Sequence, residues 1–133
     1  MITLTYNQLK SAQFGVAFSK LVTSKEVKTM QTIYKIAKIG KKLSEEERIM
    51  MELQQNLVKK FAVLDEAGNI VMDAEGNYNP KPELVEEHKK AMADFWAVTV
   101  SVDLPKLDLK ELRGIGITAQ DLIHLSCLLD EPV

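Results

Sequence analysis

The stretch TSKEVKTMQTIYKIAKIGKKLSEEERIMMELQQNLVKKF, from Thr23 to Phe61, decides how this chain folds. It holds no proline and one glycine, Gly40, among residues that favour helix. Thr23 or Ser24 suits an N-cap, because a short side-chain oxygen satisfies an orphan backbone N–H there. Glu26, three residues after Thr23, completes a capping-box pattern. An unbroken helix over 24–61 would be about 55 Å long at roughly 1.5 Å per residue. A compact chain of this length measures only about 36 Å across. Either the helix breaks near Gly40, where Ser44 and Glu47 repeat the capping pattern, or something else covers its overhang.

The apolar residues of this helix form two stripes. One carries Val27, Met30, Ile33, Tyr34 and Ala37; the other carries Ile36, Ile39, Leu43, Met50, Leu57 and Phe61. At about 100° per residue the two are offset by more than a third of a turn. A helix with two apolar stripes has two neighbours. Ile39, Leu43, Met50, Leu57 and Phe61 are the residues expected to contact another protein, with methionine supplying an adaptable surface.

Working outward, Ile2, Leu4 and Tyr6 alternate with Thr3 and Thr5, which reads as a short N-terminal strand. Thr5 and Gln8 then start a helix expected to run from Tyr6 to Leu21, with Gly15 as a close-packing point or a weak spot. After Phe61 come two similar segments, Asp65–Asn69 and Asp73–Asn77, each ending in Gly-Asn. They predict a short hairpin or two successive turns, since Gly and Asn tolerate positive φ. A calcium loop is the sharper reading of Asp73, Glu75 and Asn77. Against it, the glycine falls at the fourth position and no bidentate Glu closes the loop.

Pro82 opens a helix expected to end near Asp94, and Trp96–Asp103 then alternates as the clearest strand in the chain. The N-terminal strand is its natural partner, because its own backbone groups otherwise have no ladder. Asp108 with Glu111 caps a short turn that stops at Gly114. Thr118 with Asp121 starts a final helix expected over 119–129. The fold class is α+β: one domain over 1–133, a helical body packed with a small antiparallel sheet and no βαβ rhythm.

The apolar fraction of 46% and charged fraction of 27% are those of a globular chain. No apolar run approaches the ~18 residues that a membrane span needs. No charged-then-apolar leader pattern opens the sequence, and one cysteine fits a reducing compartment. Charge is uneven: residues 1–42 carry +7 and the remainder −9. Such asymmetry marks either a polyanion-binding face or halves that attract each other, within the chain or between copies. Scarce arginine favours the second.

Candidate chemistry is thin. Asp121, His124 and Cys127 share the last helix at spacings of three, but the leucines around them argue for packing. His88 beside Glu86 and Glu87 falls short of a metal site. No phosphate-cradling or dinucleotide motif occurs, and no cofactor or enzymatic activity is expected. Lys28, Lys35 and Lys42 recur every seven residues with Lys38 between them, a stripe that could follow phosphates. No aromatic platform accompanies it, so a solvated face is the stronger reading.

Several segments together carry a resemblance. They are IYKIAKIGKKL (Ile33–Leu43) entering EEERIMMELQQNLVKKF, the DEAGN and AEGNY turns, VTVSVDLPKLDLKEL (Val98–Leu112) and the closing ITAQDLIHLSCLLDE. In that order the chain resembles a family of small, uncharacterised proteins of tailed bacteriophages, across nearly its whole length. The resemblance rests on pattern and transfers no catalytic residue. It implies a phage or prophage protein found in the bacterial host cytoplasm or the virion. Such a protein would act by protein–protein binding, as a virion component or assembly factor, with a homo-oligomer or another phage or host protein as partner. An inhibitor of a host defence or polymerase protein is the alternative, and nucleic-acid binding through the lysines a third.

Overall fold

The computed structural model describes residues 1–26, 29–112 and 115–130. Strand β1 (Ile2–Thr5) pairs antiparallel with β2 (Thr99–Val102), with Ile2 opposite Val102 and Leu4 opposite Val100. The alternation of the two segments sets this register. It puts Ile2, Leu4, Val100 and Val102 on one buried face and Thr3, Ser101 and Thr99 in solvent. The strand expected from Trp96 is shorter. Trp96 ends helix α4 (Val85–Trp96), where it packs edge-on against Phe95 and lies under the Lys10 ammonium, 4.0 Å from its ring centre. Pro82 does lead into this helix, through a 3-10 turn over Pro82–Leu84.

The helix expected over 6–21 is two helices, α1 (Tyr6–Lys10) and α2 (Ala12–Thr23). Ser11 separates them. Its ψ of 126° is extended, and its hydroxyl accepts from the Phe14 N–H at 3.4 Å as the cap of α2. The resulting turn lets Tyr6 and Leu9 of α1 and Phe14, Ala17 and Leu21 of α2 all enter one core. Gly15 faces open space, so it is the weak spot and not a packing point.

Helix α3 spans Met30–Phe61, about 48 Å at roughly 1.5 Å per residue. It starts later than the Thr23–Glu26 pattern implies. Thr23 closes α2 by donating its hydroxyl to the Ser19 carbonyl, and Ser24 is the C-cap of that helix. Thr29 caps α3 instead, accepting from the Thr32 N–H at 3.1 Å; Val27 and Lys28 lie outside the described residues. The helix is continuous through Gly40 and past Ser44. A methyl group at Gly40 would meet the Phe18 ring of α2 at 3.4 Å, so this glycine lies directly under an aromatic neighbour.

The C-terminal part closes the core. Thr118 caps α5 (Ala119–His124) with Asp121 in a reciprocal capping box, as the sequence implies. The helix ends five residues early because Leu107 intervenes. Its N–H donates to the Leu128 carbonyl at 2.7 Å, and its own carbonyl accepts from the Asp130 N–H at 2.9 Å. Leu107, Leu125 and Leu128 are thereby fully buried. Among the described residues no buried side-chain polar atom lacks a hydrogen-bond partner.

Two substitutions probe this arrangement. Met50, 4% exposed in the core, is expected to cost about 2–5 kcal/mol as Met50→Ala, and Met50→Glu to unfold the chain. Gly40→Ala adds a methyl at ordinary contact distance from Phe18 and improves helix propensity. It is expected to raise the melting temperature by about 4 °C. Thermal melts followed by circular dichroism check both; a loss of stability in Gly40→Ala would mean that the Phe18 ring cannot yield to the added methyl.

Candidate interaction surface

The two stripes of α3 exchange the roles that the sequence assigns them. Ile39, Leu43, Met50 and Phe61 are buried within their own chain and Leu57 is half-buried, so they are not available to a partner as expected. The reason is local. Ile36, Ile39, Leu43 and Met50 join the cluster formed by the sheet, α1, α2 and the C-terminal leucines. Phe61 instead packs against the edge of the His88 ring. The other stripe is left in solvent: Met30 is 77% exposed, Ile33 44% and Tyr34 61%.

This outer stripe borders an open cleft of about 440 Å³ between α2 and α3. Phe18, Leu21 and Val22 form one wall and Ile33, Ala37 and Gly40 the other. Val22, 58% exposed, carries the apolar wall out to the surface. Hydrophobic side chains alone do not mark a site, but several joined by a concave apolar seam do.

The lysines flanking this surface are differently engaged. Lys35 donates to both carboxylate oxygens of Glu111, at 3.1 and 3.3 Å, and braces the Leu109–Leu112 turn against α3. Lys42 bridges to Glu45 within the helix at 3.4 Å. Lys38 lies over the Tyr34 ring, and Lys28 falls outside the described residues. The seven-residue stripe is therefore not a row of equivalent cations. Lys38 and Lys41 do line a shallow depression with Tyr34 and Ala37, directly beside the apolar stripe.

At the far end of α3 lies an arm over residues 62–80. Its base is held by the Ala62–Pro80 bridge and by the Lys81 N–H donating to the Phe61 carbonyl at 2.7 Å. Each repeated segment is a tight turn. Asp65 Oδ1 accepts from the Ala67 and Asn69 N–H groups, and Asp73 Oδ1 from those of Glu75 and Asn77. Gly68 and Gly76 adopt φ of 84° and 82°, which a side chain would strain. The aspartates thus serve as turn caps, and among the described residues no cluster of metal ligands forms. Leu64, Val71 and Met72 are exposed on this arm.

Comparison with protein-family models, curated proteins and solved structures returned no match to this chain. Its functional reading therefore rests on its own surface chemistry.

The remaining titratable groups hold the fold together. His88 shares a 2.8 Å hydrogen bond between its Nε2 and the Tyr78 hydroxyl, which ties the arm to α4. Burial raises the Tyr78 hydroxyl and the Cys127 thiol above their ordinary values, which keeps the thiol protonated near neutrality. Asp121 does not serve His124. The Lys20 ammonium of α2, 2.8 Å away, holds its carboxyl at about 2, aided by the Thr118 N–H. Among the described residues no helix is long and apolar enough to cross a membrane.

This bridge generates a pH prediction. The folded carboxyl sits below its unfolded value of about 3.9, so its contribution is complete above roughly pH 4 and fades towards pH 2. Asp121→Asn is expected to lower stability at pH 7 and to flatten the acid limb between pH 4 and 2. Urea melts at several pH values measure this; an unchanged acid slope would show that Asp121 does not carry it.

Proposed function

We propose that this chain is a non-enzymatic protein of the tailed-phage type that works by protein–protein binding, as a virion component or assembly factor. It self-associates through the outward face of the long helix. The observation that supports this reading is the exposed stripe Met30, Ile33 and Tyr34 beside the α2–α3 cleft. Covering apolar surface yields about 25 cal/mol per Å². A helix that keeps large apolar side chains in water on one side, while burying a full stripe on the other, has a second neighbour to receive. The uneven charge of the chain, +7 against −9, gives copies of it a reason to attract one another.

Ile33 is the residue to change, because it is exposed and borders the cleft without entering the core. Light scattering after gel filtration should report a concentration-dependent oligomer for the native chain. Ile33→Glu should reduce it to the monomer with an unchanged melting temperature. A native chain that stays monomeric at the highest concentrations would overturn self-association.

A further inference from the structure

The geometry points to the occupant of the cleft: the 62–80 arm of a second copy. This inference rests on the self-association proposed above and specifies its geometry. Cleft and arm are complementary in chemistry. The cleft is mostly apolar, with Ser24 and Ser44 in its lining, and the outer stripe lies beside Lys38 and Lys41, where the one neighbouring acid of the depression, Glu45, is paired with Lys42. The arm exposes Leu64, Val71 and Met72 among Asp65, Glu66, Asp73 and Glu75, with no basic residue between Val63 and Asn79. One surface is apolar with a basic rim and the other apolar with an acidic rim, the pattern that steers and registers an association.

The fold separates the two within a single copy. Both are mounted on α3, the cleft at Ile33–Gly40 and the arm after Phe61. From Ala37 to Phe61 a straight helix covers about 36 Å at roughly 1.5 Å per residue. The arm cannot unroll to bridge that gap, because the Ala62–Pro80 bridge closes its base and each of its turns is locked by its aspartate. Complementarity that the rigid helix denies within a copy remains available between copies. Two different patches then meet: an antiparallel pair satisfies both contacts at once in a closed two-fold dimer, and any other arrangement propagates into a ring or a filament.

Complementation of two damaged surfaces tests this. Ile33→Glu spoils the cleft and Met72→Glu the arm; both residues are exposed, so thermal melts should match the native chain. Each variant alone is expected to run as a monomer of 15.0 kDa, since each would need its damaged surface to pair. Mixed in equal amounts they should form a dimer and stop there, because one intact cleft and one intact arm remain. Lys38→Glu/Lys41→Glu added to the Met72→Glu chain, which supplies the intact cleft, should weaken that dimer at least tenfold. Glu66→Lys/Glu75→Lys in the Ile33→Glu chain, which supplies the intact arm, should then restore it. If Met72→Glu alone associates as the native chain does while Ile33→Glu does not, the arm is not the occupant and self-association stands. If the native chain and the mixture are both monomeric, both readings fall. A native oligomer whose two variants fail to form the mixed dimer also overturns the cleft–arm contact.

Discussion

A sheet of two four-residue strands cannot hold itself together in water, and the helices and C-terminal leucines are arranged to cover it. Ile2 and Leu4 with Val100 and Val102 offer a small apolar face. The C-terminal leucines pack against β1, and the inner stripe of α3 joins the same cluster with α1 and α2. That demand fixes which side of α3 is consumed. The side facing away from the sheet stays in solvent, and the proposed self-association would use it.

Ion pairs across the elements position them more than they stabilise them. Lys20 of α2 reaches Asp121 of α5, and Lys35 of α3 reaches Glu111, so two basic residues of the N-terminal half tether two acids of the C-terminal part. Both bridges are only partly shielded, where such pairs typically contribute little. Their value lies in register: each joins a helix to a short segment with few backbone bonds of its own. Part of the charge asymmetry is therefore spent inside the fold, and the remainder is carried on the surface.

Much of this was legible beforehand, for physical reasons that can be named. The alternation in Ile2–Thr5 and Val98–Val102 is strong and unpartnered, so their pairing follows from hydrogen-bond accounting. The D-x-x-G-N turns and the Thr118–Asp121 cap announce themselves through local chemistry that distant neighbours do not alter. Which stripe of α3 is buried was not legible. Ile33 and Ala37 are as apolar as Ile36 and Ile39, and periodicity does not say on which side the sheet will lie. The break at Ser11 was obscured because an apolar pattern runs straight across it. The start of α3 was displaced because Thr23, Ser24 and Thr29 all suit a cap, and only the length of α2 chooses among them. Trp96 fits the alternation of β2, yet its ring completes α4.

The pairing of β1 with β2 also constrains the order of events during synthesis. Ile2 and Val102 are about a hundred residues apart, so β1 has no partner until the whole segment between them has left the ribosome. At roughly 5–20 residues per second that is a wait of several seconds or more. Helix α3 meanwhile needs only neighbours along the sequence and can form early, with both apolar stripes bare. Until β2 arrives, the inner stripe of α3 lacks the paired sheet whose core it joins in the finished fold.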